Sequence, residues 1–275
     1  MYDESVHFYF IYGLMRSIGK DEHEALSIAN ASQAPDNGEV WDAMYRYLAP
    51  YNNEREFYRE RLHDLNGLNQ YEREKYLECV TGLLQGSSDS MEMGLYLHVI
   101  GDWFAHQDPD GESFGKRIGH ALYSTDPDNP QWVYQGARIG EERFRSFVAV
   151  VLQSFSVETM PDEVKSVIDS LYDGSVKIDP ADLEQYRQSS EFFSRNSGSP
   201  YFNFFPPYPS PKWIPNRNYD EILKEFADRM NGSPLSPTAY EETTESDDYI
   251  QQIKDKLESG LKNKLDCCLK CARGE

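Results

Sequence analysis

The stretch Gly94-Leu-Tyr-Leu-His98-Val-Ile-Gly-Asp102-Trp-Phe-Ala-His106 constrains this chain more than any other. Read as a helix, it sets His98, Asp102 and His106 at i, i+4 and i+8, about 0°, 40° and 80° around the axis, so the three share one face. Every intervening position except Gly101 is apolar or aromatic. A helix that is apolar on its remaining sides is buried, and its polar groups must then find partners inside the protein. Two readings stay open at this point. A carboxylate between two imidazoles can form a hydrogen-bonded triad, and two i, i+4 ligand pairs are also how helices clamp a metal ion.

Apolar spacing is helical nearly throughout, without a run of strand-like alternation, and predicts an all-α fold. His7, Ile11, Leu14, Met15 and Ile18 fall on one stripe of a first helix over 6–18, which puts His7 on the buried side. Gly19 ends that helix, and Asp21 with Glu24 reads as a capping box opening a second over 22–33. Residues 34–38, Ala-Pro-Asp-Asn-Gly, form a loop carrying Asp36, which a turn would also explain. Further helices are predicted near 40–48, 54–64, 69–85, 89–106 and 131–155, then over 161–172 and 180–194. Residues 199–218 hold six prolines among aromatic residues, which no regular helix accommodates. This segment reads as an extended strap, packed on the helical body or offered to a membrane surface or protein partner. A helix resumes over 219–231, residues 232–248 read as disordered, and a polar helix with few anchors ends the chain. The organisation expected is a metal-binding helical domain over 1–155, a Pro/aromatic-rich and mostly helical extension over 156–231, and a flexible linker with a C-terminal helix over 232–275.

Charge narrows the function classes. The chain has 47 acidic against 27 basic residues among its 275, a formal net charge of −20, so a phosphate backbone meets repulsion and nucleic acid is not an expected partner. No run approaches the roughly 18 to 20 apolar residues of a membrane span. The opening MYDESVHFYF lacks the positive charge of a signal peptide, so the expected place is the cytoplasm, or outside it by a route that cleaves no signal. Cys267, Cys268 and Cys271 crowd the end, with Cys79 far off in sequence, and are expected to form an exposed, reduced tail.

All six histidines lie within the first 120 residues. His23 sits beside a helix cap and reads as a solvated side chain, whereas His7, His63, His98, His106 and His120 occupy positions that can converge. The order of His7 on the first helix, Asp36 after the second, His63, then HxxxDxxxH and Gly119-His120 resembles the zinc-dependent phospholipase C and single-strand nuclease superfamily. The resemblance covers about residues 5–155 and is nearest to a bacterial branch with openings like HFYFIYGLMRSIG, turns like SQAPDN and helices like GLYLHVIGDWFAH.

That resemblance implies two or three Zn²⁺ ions, or another divalent ion in their place. His63, His98 and Asp36 would hold one, Asp102 would bridge to a second that His7 also binds, and His106 with His120 would hold a third. Asp36 would be the general base. Two departures stand out: the phospholipases use the amino group of the mature N-terminus as a ligand, whereas His7 here follows six residues, and Ser124 occupies the place of the glutamate that completes their third site. Asp126 or Asp128 is the substitute at hand.

The function expected is hydrolysis of a phosphoester by a zinc-bound hydroxide, with a phospholipid as the favoured substrate class. The alternatives are a non-catalytic, metal-stabilised helical protein that mediates interactions, and a toxin or effector.

Overall fold

The computed structural model describes residues 2–36, 57–107, 128–132, 138–174, 218–235 and 246–275. Among them are nine α-helices and no strand, so the protein is all-α. The helices expected near 40–48 and 180–194, the strap expected over 199–218 up to residue 217, and His120 and Asp126 lie outside the described residues.

The first helix begins as a π-helical stretch, Ser5–Phe10, and continues as α1, Ile11–Ser17. Helix α2, Glu22–Gln33, opens on the expected Asp21 cap, whose side chain accepts from the Glu24 amide at 2.8 Å, and runs into a 3-10 turn, Ala34–Asp36. Within the described part of the helix predicted near 54–64 is a π-helical turn, Tyr58–Leu62. Helix α3, Gln70–Gly86, starts with a full Asn69/Glu72 capping box, and α4, Ser90–Ala105, starts with Asp89 as its cap. Helices α5, Ile139–Ser154, α6, Asp162–Tyr172, and α7, Tyr219–Asn231, follow. Of the helix predicted over 131–155, α5 covers Ile139–Ser154, and 130–132 form a turn onto which Gly140 packs.

Two glycines on α4 decide how closely its neighbours approach. A Cβ at Gly94 would lie 2.3 Å from the Ile28 carbonyl oxygen and 2.9 Å from the Ser32 amide, so only glycine lets the α2 backbone seat against α4. A Cβ at Gly101, seven residues on, would lie 2.9 Å from Cε1 of His7. Gly94, His98 and Gly101 share a helix face. The same face therefore admits α2 and receives the His7 ring.

The later segments share this hydrophobic core rather than forming another. Helix α7 lies against the start of the chain, with Phe226 over Gly13, Ser5 Oγ donating to Asp220 at 2.6 Å and Tyr12 Oη donating to Asn231 at 2.6 Å.

The C-terminal region departs from expectation. Helix begins at Asp247, inside the stretch read as disordered, and runs as α8, Asp247–Lys256, a π-helical turn, Leu257–Leu261, and α9, Lys262–Arg273. It is well anchored: Tyr249, Ile253, Leu257, Leu261, Leu265 and Leu269 are all buried. Each large apolar side chain so buried stabilises by about 1.5 to 3 kcal/mol. The expectation of an exposed, reduced cysteine tail is corrected for Cys268, which is buried and bonded to Cys79 of α3 across 189 residues, while Cys267 and Cys271 are exposed thiols. Sequence distance hid the pairing, since proximity here comes only from α9 packing on α3.

Candidate metal centre

The sequence-predicted residues His7, Asp36, His63, His98 and Asp102 converge where the first helix, α2 and α4 meet the turn before α3, and His106 lies at the edge of this cluster, its Nδ1 3.8 Å from Asp102 Oδ2. The four imidazoles and Asp102 are inaccessible, and Asp36, at the end of its 3-10 turn, is 8% exposed at the side chain. Two of these residues are delivered by π-helical segments: His7 lies within Ser5–Phe10, and His63 directly follows Tyr58–Leu62. Such turns shift a side chain's aim relative to an α-helix and recur at functional sites.

The donor atoms form two poles joined by two carboxylates. At the first, His63 Nδ1, His98 Nε2 and Asp102 Oδ2 make a triangle with edges of 3.0, 3.2 and 3.4 Å, and Asp36 Oδ1 lies 3.7 Å from His63 Nδ1. At the second, His7 Nε2 faces Asp102 Oδ1 at 3.2 Å and Asp36 Oδ2 at 3.8 Å. Each carboxylate thus spans both poles with its two oxygens. The groups His7, Asp36, His98 and His63, His98, Asp102 each bring their donor atoms within 4.8 Å of one another.

Tautomers follow from the surrounding backbone. His98 Nδ1 lies 2.8 Å from the Ser32 carbonyl, so it donates there and leaves Nε2 as a lone pair aimed at the triangle. His106 Nδ1 likewise donates to the His63 carbonyl at 2.5 Å, which frees its Nε2 to face Asp128 Oδ1 at 3.8 Å. Burial, reinforced by His7 and His63 and opposed by Asp102, keeps His98 well below the ordinary imidazole value. Burial pushes the Asp102 carboxyl up, but His98, His106 and His63 outweigh it and hold the group well below the usual carboxylate range. His98 Nε2 and Asp102 Oδ2, 3.4 Å apart, both face into the triangle. The one proton that His63 Nδ1 can carry cannot point at His98, Asp102 and Asp36 together.

The three residues of the HxxxDxxxH segment do share a site, but not as one helix face. Helix α4 ends at Ala105, and His106 turns away with ψ of 49°. The side chain of Arg73 from α3 captures that end. Its guanidinium donates to the carbonyls of Trp103 and His106 and pairs with Asp64 at 2.9 Å, and Trp103 Nε1 donates back to the Arg73 carbonyl at 3.0 Å. Asp64 adopts a left-handed φ of 47° beside His63 and takes a hydrogen bond from Asn66 at 2.6 Å. Burial pushes its carboxyl up to about 6 against the opposing pull of Arg73.

Sequence reasoning missed Ser32, whose carbonyl sets the His98 tautomer, and the Arg73–Asp64 pair. The backbone carbonyl has no sequence signature, though a buried arginine on a core-facing stripe was a visible one. Of the two suggested replacements for the missing third-site glutamate, Asp128 lies beside His106. His23 is exposed, as expected.

Comparison with protein-family models, with curated proteins and with solved structures gives no match. No described helix is long and apolar enough to cross a membrane.

Proposed function

We propose that the protein is a metal-dependent phosphoesterase of phospholipase C-like type, built on a cluster of zinc ions. The observation that carries this reading is the triangle of His63 Nδ1, His98 Nε2 and Asp102 Oδ2. Its edges of 3.0 to 3.4 Å match the roughly 3.3 Å that separates ligands on a tetrahedral Zn²⁺ with bonds of about 2.0 Å. The donor set of imidazole nitrogens and carboxylate oxygens suits the same ion. His63, His98, Asp102 and Asp36 would hold one ion. His7 with the second oxygens of Asp102 and Asp36 would hold another, and His106 with Asp128 would contribute to a third.

Bound ions of this kind supply Lewis acidity and lower the pKa of water toward 7, the chemistry that phosphoester hydrolysis requires. The protein's own part is to fix the ligands. The Ser32 carbonyl orients His98, the His63 carbonyl orients His106, and Arg73 holds the end of α4 in place. Asp36 is the most exposed of the six and the residue assigned as general base. The net charge of −20 favours a zwitterionic phosphocholine ester over a polyanionic strand. The Cys79–Cys268 disulfide favours the exported alternative over the cytoplasm, because disulfides persist in oxidising compartments.

A second reading, a non-catalytic protein stapled by its metals, is favoured by the complete burial of all four imidazoles. Elemental analysis and hydrolysis assays separate the two. Protein purified without chelator should carry about two or more zinc equivalents per chain, as a metal-cluster hydrolase does, and should cleave a phosphocholine ester faster than single-stranded DNA. Less than about half an equivalent after zinc reconstitution rules out both readings, since each draws folding energy from the metal. A zinc-loaded protein inert on both substrates leaves the stapled reading standing.

A further inference from the structure

Three side chains of the last helix, Lys262, Asp266 and Arg273, fall at about 0°, 40° and 20° around the α9 axis and so share one face. All three meet the segment that carries His63. Lys262 Nζ lies 4.9 Å from the centre of the Phe57 ring, and Asp266 accepts from Arg61 Nε at 2.5 Å. Arg273 donates to Glu60 at 3.0 Å and to the Asn66 carbonyl at 3.5 Å. The grip therefore falls on both sides of His63 in the chain. Glu60 is buried, with 1% of its side chain exposed, and a buried carboxylate is held in place by its pairing with cations.

A second side of α9 is fastened to α3. Cys268, bonded to Cys79, lies about 120° around the axis from Lys262, and the buried Leu265 and Leu269 fill the arc between. Helix α3 touches the same segment, since Tyr76 Oη donates to the Arg61 carbonyl at 2.8 Å. The π-helical turn Tyr58–Leu62 has only five residues, too few to hold a helical shape alone, so its neighbours fix it. His63 follows directly. Its Nδ1 is a corner of the donor triangle, and its carbonyl accepts from His106 Nδ1 at 2.5 Å. A shift of this turn displaces two imidazoles at once.

We propose that α9 is the positioning element for His63: Arg273 and Asp266 seat its turn, and the Cys79–Cys268 bond keeps α9 in place to do so. The inference rests on the metal reading above and adds that metal affinity depends on a helix that supplies none of the candidate ligands. Partners that orient a ligand are worth about 10- to 100-fold in metal affinity. A helix that only closed the core would lower stability when weakened, with no selective effect on the metal.

The test uses the full chain with Cys267→Ser and Cys271→Ser as the parent, so that no exposed thiol competes for zinc. Zinc affinity is measured by competition with a chromophoric chelator, metal geometry by the visible spectrum of the Co²⁺-loaded protein, and folding by helical content. Arg273→Ala should keep its helical content, bind zinc about tenfold or more weakly and alter the Co²⁺ spectrum. Arg273→Lys, which keeps a cation for Glu60, should recover part of the affinity. The pair Cys79→Ser and Cys268→Ser should weaken zinc by a similar factor. Lys264→Ala removes an ion pair to Glu92 at 3.1 Å on the opposite side of α9 and should bind zinc as the parent does. Parent-like zinc affinity and Co²⁺ spectrum in Arg273→Ala overturn the proposal, as does equal weakening in Lys264→Ala, which makes the effect one of general stability. Parent-like affinity without the disulfide removes its locking role. If Arg273→Ala does not fold, Asp266→Asn carries the same expectation and the same refutation. A parent that takes up no zinc removes the metal reading as well.

Discussion

Asp102 Oδ2 lies 3.4 Å from His98 Nε2, while the other nitrogen of that ring is committed to the Ser32 carbonyl at 2.8 Å. The proton of the imidazole is thus on the far side, and the two facing atoms are both electron-rich. Asp102 Oδ1 meanwhile reaches His7 at 3.2 Å, so one carboxylate serves both poles.

Asp102→Asn separates a bridging ligand from a hydrogen-bonding one. Asparagine keeps the size and one acceptor oxygen but loses the charge that would offset two dications. The variant should lose about one or more metal equivalents and much of its thermal stability, because metal-binding energy is folding energy in such a site. Elemental analysis and calorimetry at neutral pH check this. Full metal content with a wild-type midpoint would mean that Asp102 only orients imidazoles.

The two α4 glycines should respond differently to alanine. At Gly94 the added Cβ meets backbone, the Ile28 carbonyl at 2.3 Å, so α2 must move away. At Gly101 it meets a side chain, His7 at 2.9 Å, which can rotate. Gly94→Ala should cost about 1 to 3 kcal/mol or more, the range for overpacking a filled interior. Gly101→Ala should cost less in stability and proportionally more in metal retention. Chemical denaturation alongside metal titration reads both, and equal effects on stability would contradict the packing described.

The Cys79–Cys268 bond holds the last helix on α3. Reduction, or Cys268→Ser, should destabilise the protein by about 2 to 5 kcal/mol, as removal of a long-range disulfide does. Thermal melts with and without reductant measure it. An unchanged midpoint, with labelling showing all four thiols free, would refute the pairing.

Asp89 supplies a pH signature. It caps α4 through the Glu92 amide at 3.0 Å and accepts from Lys256 of α8 at 2.6 Å. Its slight burial raises the carboxyl, but the Lys256 and backbone hydrogen bonds more than offset this and lower it. A carboxyl lowered by folding adds stability that is present above its unfolded value near 3.8 and fades as pH falls through the folded value. Asp89→Ala should therefore cost about 1 kcal/mol at neutral pH, mostly the cap, since the side chain is 42% exposed and its ion pair is screened. The cost should shrink below the ordinary carboxylate range. Denaturation of both proteins at neutral and strongly acid pH tests the sign, and a cost that grew on acidification would reverse it.

The sequence by itself determined the helices whose periodicity and caps are local. The Asp21 cap, the apolar stripe that buries His7 and the continuous hydrophobicity around Asp102 each depend on residues within a few positions of one another. The same spacing put the candidate ligands on buried faces. Only the tertiary structure decided what meets across helices. The Ser32 carbonyl fixes His98 because Gly94 lets α2 close on α4, and Arg73 ends α4 one residue before His106. Cys268 finds Cys79 across 189 residues, and Tyr2 packs against the His7 ring. These relationships rest on backbone atoms or on contacts between distant segments, and neither leaves a pattern in a linear string.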